Sequence, residues 1–172
     1  RKLLNWVDKR YNRPKIYVTE NGWSTPGDEP WEAGVADDSR VLYYRNYKAE
    51  MQRALNEDGA DLRGYFAWSL MDNFEWERGY SERFGLVYTD FASQQRTPKA
   101  SARWYAQLIA TNSLPDPAPF LRGDGGGGVA SDDGLQPPAP LLNCCACEGA
   151  VPDRQTVCGA LHAQVDKDDA RR

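Results

Sequence analysis

Two short stretches hold the residues best suited to chemistry. The first is KIYVTENGW, residues 15–23, in which a β-branched and aromatic run ends in a lone carboxylate, Glu20. The second is AWSLMDNFEW, residues 67–76, where Trp68, Asp72, Asn73, Glu75 and Trp76 fall within nine positions. Carboxylates and amides beside indole faces suit a sugar. The C–H face of the ring lies on the indole, and the hydroxyls take directional hydrogen bonds. Each stretch also has an ordinary structural explanation. Glu20 reads equally as a surface carboxylate at a strand end. The second stretch reads as the aromatic edge of a core, since Trp is buried on average; a core edge, however, does not usually interleave two acids and an amide.

The elements around these stretches place both on strand ends. RKLLNWVDKRY opens on helical periodicity, with Leu3, Leu4, Val7 and Tyr11 on one face, and Pro14 stops it. KIYVTE then reads as a short strand. NGWSTPGDEPWEAGVADD is rich in Gly, Pro and Asp and reads as one long loop. Asp37 or Asp38 is a candidate cap for the next helix. There Val41, Tyr44, Met51 and Leu55 recur at helical spacing while Arg45, Glu50 and Gln52 face water. Asp58-Gly59 ends that helix. LRGYFAWSL is a second strand, LVYTDF a short extended piece, and Thr97-Pro98 the start of a last helix with Ala102, Tyr105, Ala106 and Ile109 on one face. Helices alternating with strands predict an α/β fold with a parallel sheet. Two strands alone cannot bury two helix layers, so the fold reads as incomplete. In α/β barrels the strand-to-loop edge carries the active site, which is where Glu20 and the second stretch lie.

Bulk properties narrow the classes. The chain has 172 residues, enough for one ordinary domain, and a formal charge of -4 with no basic cluster, so nucleic acid is not an expected partner. No apolar run reaches membrane-spanning length. The first residue is Arg and begins directly on helical periodicity, so the chain is expected to be a piece of something longer. Composition changes after Asn112. Residues 113–172 contain a Gly run and Pro clusters and are expected to be disordered. Within them Cys144-x2-Cys147 and Cys158-x3-His162 loosely match zinc spacing. Incidental thiols and a disulfide are the alternatives, and no metal site is assigned. The GGGG run follows no strand and precedes no helix, so it fails the test for a phosphate loop. The single histidine, His162, leaves no basis for a Ser-His-Asp triad.

Glycoside hydrolysis commonly uses two carboxylates flanking the bond, about 5 Å apart for retention or about 6.5–9.5 Å for inversion. On residue type Glu20 and Glu75 are the tempting pair, but a sequence carries no separation between them.

Three motifs bear on this choice. IYVTENG, RGYFAWSLMDNFEWERGYSERFGLVYTDF and RTPKASARWYAQLI occur in order, with a helix between the first two. Together they resemble the C-terminal third of the family 1 glycoside hydrolases, the β-glucosidase family. The resemblance covers residues 1–112 and implies the last two strand–helix units of a (β/α)8 TIM barrel. It implies that Glu20 is the nucleophile of a retaining double displacement on a small-molecule β-glycoside, with no cofactor. It also implies that Trp68 floors the sugar subsite, that Glu75 and Trp76 hydrogen-bond the glycone hydroxyls, and that Phe84 lines the same pocket. On that reading Glu75 is a sugar reader and not the proton donor. The family's acid/base glutamate lies in an Asn-Glu-Pro motif that this sequence does not contain; Glu29-Pro30 follows Asp28 and does not match. The isolated chain is therefore expected to be inactive or nearly so, because general acid catalysis contributes roughly 10²–10⁴-fold. A carbohydrate-binding remnant or pseudoenzyme is the alternative, and a non-functional fragment the third reading.

Overall fold

The computed structural model describes residues 1–122 as a mixed α/β unit. Helix α1 (Lys2–Arg10) leads into strand β1 (Ile16–Asn21), and the long helix α3 (Asp38–Asn56) carries the chain to strand β3 (Leu62–Ala67). β1 and β3 pair in parallel, Ile16 opposite Leu62 and Asn21 opposite Ala67, so both strands end on one edge. The pair closes no barrel among the described residues. Helix α4 (Ala100–Thr111) packs against α3. Val41, Tyr44, Ala54 and Trp104 are completely buried between these elements. Each of the larger of these side chains contributes about 1.5–3 kcal/mol of transfer free energy.

The stretch expected as one long loop is more structured. It contains the two-residue strand β2 (Thr25–Pro26) and the helix α2 (Trp31–Ala36). β2 pairs antiparallel with β4 (Glu82–Arg83), a partner nearly sixty residues away that local composition does not reveal. β5 (Val87–Thr89) and β6 (Arg96–Pro98) form a small hairpin. Thr97-Pro98 therefore lies in a strand and does not start the last helix. Thr97 faces Tyr88 across the hairpin, and Lys99 donates its N–H to the Leu86 carbonyl before α4 begins.

Helix faces are rotated from the periodicity reading. In α1, Leu4 and Asp8 are buried and Val7 half-buried, while Leu3 and Tyr11 stay outside. Leu3 lies about 100° round the helix from Leu4, and Tyr11 has already left helical geometry. In α4 the buried residues are Ala100, Ser101, Ala102, Trp104 and Leu108, so the face centres on the indole; of the four expected residues Ala102 is buried while Tyr105, Ala106 and Ile109 are half-buried.

The expected start of disorder at Ser113 also needs correction for the next ten residues. Leu114, Phe120 and Leu121 pack against the core. Trp104 Nε1 donates to the Pro115 carbonyl (3.3 Å), and the Arg122 N–H donates to Asp38 Oδ1 (3.2 Å). Three apolar residues among the prolines suffice to hold the segment down. The remaining tail and its Cys and His residues lie outside the described residues. Within those residues no helix is long and apolar enough to cross a membrane.

Candidate active site

Glu20 is the second-last residue of β1 and is exposed on the edge where β1 and β3 end. Its neighbour Asn21 is held on every polar atom of its side chain. Tyr65 Oη donates to Asn21 Oδ1 (2.8 Å) and Asn21 Nδ2 donates to Tyr43 Oη (2.8 Å). The Trp68 N–H donates to the Asn21 carbonyl (2.8 Å). Gly22 follows because nothing larger fits: a Cβ there would collide with the Trp68 carbonyl oxygen. That same oxygen accepts from Tyr44 Oη (3.1 Å). Asn-Gly is thus a packing device joining the two strand ends, not simply a turn signal.

Trp68 follows β3, and its indole N–H donates to Glu75 Oε1 (3.1 Å). The Trp68–Ser69 peptide is cis. Glu75 enters a tight turn, donating its N–H to the Gly79 carbonyl (2.7 Å) and accepting from the Arg78 N–H (2.8 Å). Trp76 opens a single 3₁₀ turn at φ 45° and is 80% exposed. Phe84 is half-buried, and its carbonyl accepts from the Ser69 N–H (3.0 Å). The fold therefore joins Trp68 directly to Glu75 and ties both to the strand end bearing Glu20. Trp76 stays open to solvent.

Two polar groups that look sugar-suited in the sequence are used differently. Asp72 is buried beneath the rim. It accepts from Arg83 Nη1 (2.8 Å), Lys99 Nζ (2.8 Å), and the N–H groups of Gly85 (2.9 Å) and Thr89 (3.3 Å). Asn73 turns its amide to Ser69 Oγ and the Met71 carbonyl. Beside Asp72 lies a second buried ion pair. Arg40 donates to Asp37 (2.6 Å), and also to the carbonyls of Trp23 and Arg83. Asp37 accepts from the Ser101 N–H (2.9 Å) and hydroxyl, so it caps α4 from across the fold and makes no side-chain cap on its own helix.

Three cations thus face two carboxylates in a dry layer. Burial lowers the Lys99 ammonium to about 8, and repulsion from Arg40 adds to this against the pull of Asp72. Burial raises the Asp37 carboxyl, with Arg40 and Ser101 drawing it back. Burial also pushes the Tyr44 and Tyr65 phenols up.

Asn21, Tyr43 and Tyr65 were not signalled as site residues by the sequence. The Tyr43-Tyr44-x2-Tyr47 spacing on a helix is the trace they leave, but it does not say where the helix docks. A separate groove of about 370 Å³, lined by Trp31, Tyr88, Asp90, Gln95 and Thr97, holds none of the predicted residues.

A family model, glycosyl hydrolase family 1, matches residues 1–114. The chain belongs to glycosyl hydrolase family 1. Beta-glucosidase 34 of Oryza sativa subsp. japonica is 45% identical over 114 residues, covering 64% of this chain and 22% of that protein. The crystal structure of the β-glucosidase from Trichoderma harzianum matches with a TM-score of 0.62 at 51% identity, covering 64% of this chain and 24% of the other. A family 1 β-glucosidase from Humicola insolens, solved in complex with glucose, matches with a TM-score of 0.61 at 50% identity and similar coverage. The chain spans about a quarter of the length of these relatives. Its fold corresponds to part of the family 1 TIM barrel.

Proposed function

We propose that this chain supplies the nucleophile and the glycone-reading side of a retaining β-glucosidase, as the last two strand–helix units of its barrel. The observation that supports this best is the linked strand ends. Glu20 stands beside Asn21, Asn21 accepts from the Trp68 N–H, and Trp68 donates to Glu75. An exposed carboxylate on one strand end, linked through the backbone to an indole–carboxylate pair on the other, fits a bound pyranose.

In the proposed reaction the Glu20 carboxylate attacks the anomeric carbon of a β-glucoside. The bond to the leaving-group oxygen breaks, and that oxygen takes a proton from an acid. A water oxygen then bonds to the same carbon, loses a proton, and releases Glu20 as a free carboxylate. Two inversions give retention. Trp68 supplies the floor for the ring, Glu75 and Trp76 read its hydroxyls, and Phe84 walls the pocket. Glu75 is committed to the Trp68 indole, which favours sugar reading over proton donation. No Asn-Glu-Pro glutamate is present in the 172 residues, so the isolated chain binds glycone without efficient turnover. That absence is what favours the second reading, a non-catalytic carbohydrate-binding piece.

The test is a chimera in which residues 1–122 replace the matching quarter of the Trichoderma harzianum β-glucosidase. The chimera is expected to hydrolyse aryl β-glucosides. Glu20→Ala abolishes this, and added azide restores turnover with an inverted glucosyl azide as product. Full activity in Glu20→Ala would sink the nucleophile assignment. Glu75→Gln is expected to raise KM for glucosides. Selective slowing of substrates with poor leaving groups would instead make Glu75 the proton donor.

A further inference from the structure

We infer that Tyr65 and Tyr43 are positioning residues that set Glu20 against Trp68 through the side chain of Asn21. This rests on the reading of Glu20 as the nucleophile and goes beyond it, since both tyrosine hydroxyls bond to Asn21.

Glu20 is exposed near the free end of a strand, where a chain has little to hold it. One residue on, Asn21 is over-determined. Its Oδ1 accepts from Tyr65 Oη (2.8 Å), its Nδ2 donates to Tyr43 Oη (2.8 Å), and its carbonyl accepts from the Trp68 N–H (2.8 Å). Both tyrosines are themselves fixed. Tyr65 is 1% exposed, and the Lys48 ammonium sits over its ring, 2.9 Å from the centroid. Tyr43 stacks on Tyr47 (4.2 Å between centroids) and packs against Trp23 (5.4 Å). Tyr44, the next residue of α3, donates to the Trp68 carbonyl. Helix α3 therefore grips both strand ends at once, Asn21 through Tyr43 and Trp68 through Tyr44. The separation between the nucleophile and the sugar floor is set by this grip. A misplacement of about 1 Å at a reacting group costs roughly 10²-fold in rate, so the hydroxyls of two residues away from the sugar are expected to affect the chemical step.

Two measurements test it. In the 172-residue chain, the Asn21 side-chain amide protons are expected to exchange slowly with solvent, and Tyr65→Phe or Tyr43→Phe to remove that protection. An unprotected Asn21 amide in the unmutated chain overturns the clamp. In the chimera described above, Tyr65→Phe is expected to lower kcat by roughly 10–100-fold at nearly unchanged KM. Its unfolding midpoint should move by no more than about 5 °C. In a Glu20→Asp background, where the carboxylate is already withdrawn, the same Tyr65→Phe change should cost less than about threefold. An unchanged kcat, or an equal loss in both backgrounds, overturns the positioning role. Azide rescue of Glu20→Ala separates the two readings. Without rescue, the nucleophile assignment fails and this inference fails with it. With rescue and an unchanged Tyr65→Phe kcat, only the positioning role fails.

Discussion

The rim of the strand ends and the layer directly beneath it use the same residue types in opposite ways. On the rim, Glu20 is exposed and Trp76 is 80% exposed. Beneath it, Asp72, Arg40 and Lys99 are shut away from water, Asp72 and Arg40 with several hydrogen-bond partners each and Lys99 paired to Asp72. A charge on the rim is free to meet a ligand and adds little to folding. A charge in the layer is committed to folding and has no capacity left for a ligand. Asp72 and Glu75 are three residues apart, which shows how little chain separates the two uses.

The comparison breaks most sharply at Asp72. Asp72→Ala leaves Arg83 and Lys99 facing each other without their shared carboxylate. It is expected to cost about 3–5 kcal/mol, read as a lowered urea midpoint of the 172-residue chain by circular dichroism. A loss under 1 kcal/mol would show that the layer is wet. Gly22→Ala comes next. The new methyl meets the Trp68 carbonyl, and overpacking of this kind costs about 1–3 kcal/mol. Unchanged stability there would mean that the two strand ends are not held together.

Lys99 gives a smaller, pH-dependent effect. Folding lowers its pKa from the ordinary 10.5 to about 8. Between these values the unfolded chain holds the proton more firmly than the folded chain, so this group makes stability rise with pH, by at most about 1.4 kcal/mol per pH unit. Tyr44 and Tyr65 act oppositely. Their folded pKa values lie above the ordinary 10, so stability falls once pH passes 10 and the unfolded phenols ionise. The unfolding midpoint followed from pH 7 to 11 should therefore rise and then fall, and Lys99→Met should lose the rise. A midpoint that declines steadily from pH 8 would place Lys99 in contact with water.

The smallest effect is on the rim itself. Glu20→Gln and Trp76→Ala are expected to leave the stability of the 172-residue chain within about 0.5 kcal/mol. A larger loss would show that these residues are structural, and would blur the contrast.

Much of the frame is legible in the sequence. β1 follows from its β-branched and aromatic run and α3 from the spacing of Val41, Tyr44 and Met51, because local periodicity reports which face is buried. The dry ionic layer was not legible. Asp72 reads as a ligand group, and nothing in the sequence singles out Arg40 or Lys99, because sequence marks charge and not burial. Asp37 reads, as does Asp38, as a candidate cap of the helix that follows, yet its carboxylate serves Ser101 from 64 positions away. Thr97-Pro98 carries a helix-start signal that the β5–β6 pairing overrides.

By itself the sequence determined the main elements α1, β1, α3, β3 and α4 in their order, the family motifs and the carboxylate at the end of β1. These depend on neighbours in the chain and on residue type. Only the tertiary structure decided which acids face water and which are buried, that Asn21 is gripped by Tyr43 and Tyr65, and that Trp68 engages Glu75. Those outcomes depend on contacts between distant segments, and a hydrogen bond exists only where folding brings donor and acceptor within about 3 Å.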